Sequence, residues 1–357
     1  MPLIASSYTA TSVGGITEVF ASASCFLRGT RIATPDGEVP VECLRPGDAV
    51  RTLSGAARRL RWVGVGRSVV LPGNRDLTSP VVVRRGALAE GVPCRDLYVT
   101  RGHALLVDGV LVPAGELVNH RSIAWVEEAQ QVDYYHLELD SHDVLLADGA
   151  PAETYREDQE HPAFDNHATR PPLPLVEPCA PLLHDGAEVE AIWRRLSDRA
   201  GVPGGALTGD PGVFLLADRR RLDPVSVEGD AWRFVLPHRV GALRLVSRSG
   251  IPAQLGQGRD HRRLGVALRR LVLRQQGLAL EIGHDEPRLS VGFHAAEAEH
   301  GHRWTDGEAL LPPDLTAAMA AGGEITLHLS LLAGYPVAEP ALALPPPAKT
   351  RRLALVG

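Results

Sequence analysis

The sequence predicts a mainly β chain: an all-β domain, then a β-sandwich-like domain that one amphipathic helix precedes. Three observations carry this expectation. Apolar runs are of strand length and are punctuated throughout by Gly, Pro and Asp-Gly. Only the stretch after Asp185 keeps a clear helical period. A chain of 357 residues also exceeds one ordinary core, so two domains are the natural division.

Residues 1–24 are rich in Ser, Thr, Ala and Gly and read as a flexible leader, with one short strand around Ile16–Phe20. From Cys25 onward, short strands alternate with turns. Thr30–Ala33 leads into Pro35-Asp36-Gly37, which holds the residues that a tight turn asks for, and Val39–Val41 follows. Leu44-Arg45-Pro46-Gly47-Asp48 is a second turn. Arg61–Val65, Val69–Leu71 and Pro80–Arg84 are β-branched segments with Gly or Pro nearby. Leu97-Tyr98-Val99 enters a bend at Thr100-Arg101-Gly102-His103, and Ala104–Val107 leaves it. Asp108-Gly109 between two apolar runs is a hairpin signal. Tyr134–Leu139 and His142–Ala147 are expected to pair, with Asp148-Gly149 closing the unit. The first domain therefore covers residues 25–157, and a Pro-rich, aperiodic linker covers 158–184.

Asp185 and Glu188 have capping-box spacing, and Val189, Ile192, Trp193 and Leu196 fall on one helical face before Gly201. This helix opens a second domain, 185–337. Its candidate strands are Trp232–Leu236, Leu243–Ser247, Leu264–Leu268, Leu278–Ile282 and Leu289–Phe293. The clearest alternation is Ile325, Leu327, Leu329 and Leu331 against Thr326, His328 and Ser330. Residues 338–357 form a Pro- and Ala-rich tail.

Net charge is −6 with the two signs interspersed, which argues against nucleic acid as a partner. No apolar run reaches the ~18 residues of a membrane helix. The N-terminus lacks the basic start and unbroken apolar core of a secretory signal, so synthesis in the cytoplasm is expected, with a non-classical export route left open. The four cysteines, Cys25, Cys43, Cys94 and Cys179, form no CxxC pair and no disulfide scaffold.

One stretch combines a nucleophile with fixed backbone chemistry: Cys25-Phe26-Leu27-Arg28-Gly29-Thr30-Arg31-Ile32-Ala33-Thr34-Pro35-Asp36-Gly37, followed by Leu44-Arg45-Pro46-Gly47-Asp48. It resembles the first block of the Hint superfamily, which joins inteins, Hedgehog autoprocessing domains and bacterial intein-like domains. Thr100-Arg101-Gly102-His103 is similar to the second block. Tyr135–Gly149, with His142 before Val144-Leu145-Leu146-Ala147-Asp148-Gly149, resembles the penultimate one. The likeness covers about residues 25–157 and implies a Hint-like horseshoe fold. It implies an N-to-S acyl shift, in which the Cys25 thiol attacks the Ser24 carbonyl and turns the Ser24–Cys25 amide into a thioester. His103 is then the acid at the leaving nitrogen, Thr100 holds or polarises the scissile peptide, and His142 sits near the active centre and positions the later step.

The chemistry is consistent with those roles. An amide is more stable than a thioester, so the shift needs donors for the oxyanion, a proton for the nitrogen, and strain where available. Inteins end in His-Asn before a nucleophile, whereas here Asp148-Gly149 runs into Ala150-Pro151-Ala152-Glu153 with no asparagine, and Asn166 lies in the linker. The expectation is cleavage before Cys25 without splicing. The substrate is the chain's own leader, water or a small nucleophile resolves the thioester, and no cofactor or metal takes part. The competing reading is a non-catalytic binding or surface-associated protein with a carbohydrate-binding C-terminal half.

Duller readings stand beside these. Cys43, Cys94 and Cys179 read as small buried apolar residues. His136 and Asp143 read as ordinary strand and loop residues, and His284, His294, His300 and His302 as surface histidines. Arg303-Trp304-Thr305-Asp306-Gly307-Glu308 reads as a turn anchored by its tryptophan.

Overall fold

The computed structural model describes residues 11–13, 16–18, 24–70, 78–154, 164–170, 177–201, 205–237, 240–275, 277–314 and 322–337. The expected tail, 338–357, and most of the expected flexible leader, 1–24, lie outside them. Within the leader, Thr11–Val13 (β1) pairs antiparallel with Ile16–Glu18 (β2), the core of the strand expected there. The chain divides into two compact units, Met1–Pro203 with Gly256–His261, and Gly204–Leu255 with Arg262–Gly357.

The first unit is built from short strands: β3 Phe26–Leu27, β4 Arg31–Thr34, β5 Gly37–Pro40, β6 Ala49–Arg51, β7 Ala57–Arg59, β8 Trp62–Val69, β9 Val81–Val83 and β10 Leu97–Val99. After these come β11 Ala104–Val107, β12 Val110–Pro113, β13 Ile123–Trp125, β14 Gln131–Glu138, β15 Val144–Ala147 and β16 Ala150–Glu153. Of the expected strand Val69–Leu71, Val69 ends β8 and Leu71 lies outside the described residues. One six-stranded sheet has the order β13-β9-β10-β3-β14-β8; the other has β12-β11-β16-β15-β4-β5. Thus β3, two residues long, is held between β10 and β14 and carries Cys25 at its entrance. Phe26, Ile32, Val81, Val99, Leu105, Leu137 and Leu145 share one core, each such buried side chain contributing about 1.5–3 kcal/mol.

The Asp108-Gly109 hairpin is present, with φ of 53° and 86° at those residues, the left-handed pair that a two-residue turn requires. The expected pairing of the 134–139 and 142–147 segments is corrected. Strand β14 pairs with β3 and β8, while β15 pairs with β16 and β4 in the other sheet. Asp148 and Gly149 turn β15 onto β16, with φ of 49° and 78°. The intervening residues therefore carry the chain between sheets instead of folding it back.

The boundaries also differ from expectation. Described parts of the 158–184 segment dock on the first unit. The Asn166 side chain accepts from Val65 N–H at 2.9 Å and donates to Val63 O at 2.8 Å, and Leu182 bridges Leu111. The helix Ala187–Arg199, assigned to the second domain by order along the chain, buries Val189, Ile192 and Leu196 in the first core. Its N-cap is Gly186 with no side-chain cap, and Asp185 pairs with Arg259 and the Gly186 amide instead of closing a capping box.

The second unit is a sandwich. A four-stranded sheet orders Arg220–Leu222, Phe214–Ala217, Leu243–Val246 and Glu308–Leu310. A six-stranded sheet is built on Ser226–Glu228, Ala231–Leu236, Gly323–Ser330, Ala267–Gln275 and Leu278–Gly283, with Arg303–Trp304 paired to Ala267–Gln275 off that path. Both sheets feed one core, including Leu215, Leu245, Phe234, Leu271 and Leu327. Burial alternates along Gly323–Ser330 as its sequence period requires. The expected strand Leu289–Phe293 is irregular, with a turn at Val291-Gly292 and a single bridge from Phe293 to Thr305, and Leu264–Leu268 is only the entry to a strand that starts at Ala267.

Candidate functional site

The register of β3 on β14 pairs Phe26 with Tyr135, which sets Cys25 beside His136. Cys25 is fully buried with Trp62 and Phe164, and its Sγ lies 3.5 Å from His136 Nδ1. The Cys25 amide N–H, part of the Ser24–Cys25 peptide, donates to Thr100 Oγ1 at 2.9 Å, and Thr100 N–H donates to Cys25 O at 3.0 Å. The two hydrogen bonds tie the peptides on either side of Cys25 to the bend between β10 and β11.

His103 sits on the same bend, buried, with its ring 4.3 Å from that of Phe26. Neither ring nitrogen has a hydrogen-bond partner among the described residues. Burial pulls its pKa down to about 4, against the opposing influence of Glu153 and of the Cys25 and Ser24 backbones. Only an acceptor favours an imidazolium, so the backbone groups acting there are carbonyls, including that of Ser24. His136 is also pushed well below its ordinary value, first by burial, then by His103 and Arg170, while the Ser24 carbonyl opposes. Both rings are neutral at pH 7, able to accept at one nitrogen and donate at the other.

His142 does not touch Cys25 directly; a carboxylate stands between it and Ser24. Glu153, at the end of β16, accepts from Ser24 Oγ at 2.6 Å and from Ala104 N–H at 2.8 Å through Oε1, and its Oε2 is 3.3 Å from His142 Nε2. Burial works to raise the Glu153 pKa and is outweighed by His142, His103, Ser24 and Ala104, which leave it below the usual range. For His142, burial is outweighed by Cys179 and Glu153, which favour the charged ring up to about 9. The Cys179 backbone N–H, however, donates to His142 Nδ1 at 3.0 Å. A charged ring would have to give up that bond, so the neutral Nε2–H tautomer is the form this geometry fits.

The site thus brings together Ser24, Cys25, Thr100 and His103, with His142 one residue further out. It adds His136 and Glu153, which residue-by-residue reading had left aside. His136 was legible in principle as the residue facing Cys25 once the β3–β14 register is known. Glu153 had no signal, because a carboxylate ending a strand is common. Phe164 closes the Cys25 side with ring contacts to Trp62, Tyr134 and His136 at 5.2, 5.9 and 5.4 Å. Its segment is anchored by Arg170, which pairs with buried Glu138 at 2.6 Å.

Other candidates resolve differently. Cys43, Cys94 and Cys179 are exposed, not buried. His300 and His302 stack with centroids 5.6 Å apart, and both meet Glu297, at 3.7 and 3.1 Å. Among the described residues no His, Cys, Asp and Glu group is arranged to hold a metal ion, and no helix is long and apolar enough to cross a membrane.

The family model for Hint domains matches residues 24–159. This segment is a domain of the Hint/intein superfamily, a class of self-processing domains. The match spans Ser24, Cys25, Thr100, His103, His136, His142 and Glu153; the sandwich unit lies beyond it. Solved structures similar to the chain include the MchDnaB-1 intein, at 17% identity and TM-score 0.27, covering 36% of this chain and 98% of that one. The bacterial intein-like domain from Clostridium thermocellum gives 19% and 0.27, covering 37% and 99%. The gp41-1 intein gives 13% and 0.28, covering 36% and 98%. No curated protein matches the chain significantly.

Proposed function

We propose that residues 24–159 cleave their own chain before Cys25 through a thioester. The observation that carries this reading is the grip on one peptide: Ser24–Cys25 is held by Thr100 at its N–H, and the cysteine thiol faces His136. His136 Nδ1 takes the thiol proton as Cys25 Sγ adds to the Ser24 carbonyl carbon. The bond from Ser24 carbon to Cys25 nitrogen then breaks. His103 gives a proton to that nitrogen from one ring nitrogen and regains at the other the proton that His136 took from the thiol, so both rings end neutral, with a free Cys25 amine and a Ser24 thioester on Sγ. Water or an added nucleophile releases the leader as acid or adduct and regenerates the thiol.

Full splicing has no support in the residues after His142. Ala150–Glu153 continue as β16, and Asn166 spends its amide on the Val63 and Val65 backbone. The test is mass spectrometry of the purified chain with dithiothreitol or hydroxylamine. A product beginning at Cys25, absent from Cys25→Ala, is expected. An intact, thiol-insensitive chain would instead support the competing scaffold reading, in which the domain binds without chemistry.

A further inference from the structure

We infer that Glu153 selects a hydroxyl-bearing residue, serine or threonine, immediately before the cleaved bond. The inference rests on the cleavage reading and adds its substrate specificity. The Ser24 Oγ–H to Glu153 Oε1 separation of 2.6 Å is that of a hydroxyl donating to an ionised carboxylate, among the stronger neutral-to-charged bonds. Glu153 is 5% exposed, so its carboxylate depends mainly on protein donors. Its remaining contacts are fixed: the Ala104 amide on the same oxygen and His142 on the other. Neither can swing to fill a vacancy, because one is backbone at the start of β11 and the other is tied to the Cys179 amide.

The bond does more than recognise a side chain. Ser24 Oγ and the Ser24 carbonyl share one Cα, so fixing the hydroxyl on Glu153 while Thr100 fixes the next amide determines how the carbonyl faces Cys25 Sγ. Ser24 remains the acyl residue after the shift, so the same contact is available while the thioester is resolved. An alanine at this position leaves a buried carboxylate short of a donor, and an acidic residue adds like charge. Sites that hydrogen-bond a substrate hydroxyl discriminate strongly against analogues that lack it.

The experiment is a double-mutant cycle on the full-length chain, reading the rate of dithiothreitol-induced release by intact mass. Ser24→Ala is expected to slow release about 10- to 100-fold, the equivalent of one hydrogen bond to a charged group. Ser24→Thr restores most of the rate. In a Glu153→Gln background, where the acceptor is no longer charged, Ser24→Ala costs less than about 3-fold more. The Ser24 variants alter one half-buried hydroxyl outside the core, so they report even where Glu153→Gln folds poorly. Wild-type release with Ser24→Ala equally fast, or with the same Ser24→Ala penalty in both backgrounds, overturns the selectivity and leaves the cleavage reading standing. No release from the wild type overturns both.

Discussion

His103 offers a test in which rate and stability can be read from one substitution. His103→Gln keeps a buried polar side chain of similar reach but removes the imidazole that would protonate the leaving Cys25 nitrogen. General acid–base groups typically contribute about 10²–10⁴-fold, so thiol-induced release should slow by that range at pH 7. The stability effect has a definite sign. The folded pKa of about 4 lies below the ordinary 6.5, chiefly through burial. The unfolded chain therefore binds a proton between those values that the folded chain refuses. The stabilisation is fully present above pH 6.5, is lost as pH falls toward 4, and changes no further below that. The displacement corresponds to about 3 kcal/mol, and most of it, about 2–3 kcal/mol, is lost between pH 7.5 and 4.5. His136 is displaced in the same direction and adds to the parent and the variant alike. Urea denaturation at the two pH values, in a Cys25→Ala background that stays intact, should show His103→Gln losing about 2–3 kcal/mol less than its parent. Equal losses in both proteins would refute the buried, neutral imidazole. A release rate within about 3-fold of the parent would remove His103 from the proton transfer.

Three further outcomes are expected. His136→Leu should slow thioester formation by about 10²-fold or more at pH 7, because the thiol loses the base 3.5 Å away; an unchanged thiol-induced release rate would assign that contact to packing. Arg170→Ala should take the paired guanidinium from buried Glu138 and cost about 3–5 kcal/mol. Urea unfolding followed by circular dichroism checks this, and a loss under about 1 kcal/mol would mean that the Phe164–Arg170 segment does not depend on the pair. Leu327→Ala in the sandwich core should cost about 2–5 kcal/mol, against about 0.5 kcal/mol or less for Thr326→Ala on the other face; similar effects in denaturation would contradict the observed alternation.

Several features were determined locally and so were legible in the chain. The hairpin at Asp108-Gly109 depends on two residues that tolerate positive φ, and the strand around Leu327 depends on a period of two. The helix at Ala187–Arg199 shows in the spacing of Val189, Ile192 and Leu196, although what it packs against does not. Cys25, Thr100 and His103 were legible as a candidate set because their motifs are contiguous stretches.

The remaining parts of the site depend on which strands meet. His136 becomes the neighbour of the thiol only because β14 pairs with β3 in one register, and a shift of one residue would turn it to the other face. Glu153 reaches Ser24 across 129 positions of chain because β16 lies beside β11, next to the bend that holds Thr100 and His103. Short-range pattern specifies period, turns and helix ends, since those are set by backbone sterics within a few residues. It does not specify partners: long-range pairing is decided by the summed burial of both sheets. The sequence alone therefore determined that Cys25 begins a Hint-like stretch and singled out Thr100 and His103 as candidates beside it. Only the tertiary structure placed His136 on the sulfur and Glu153 on the Ser24 hydroxyl.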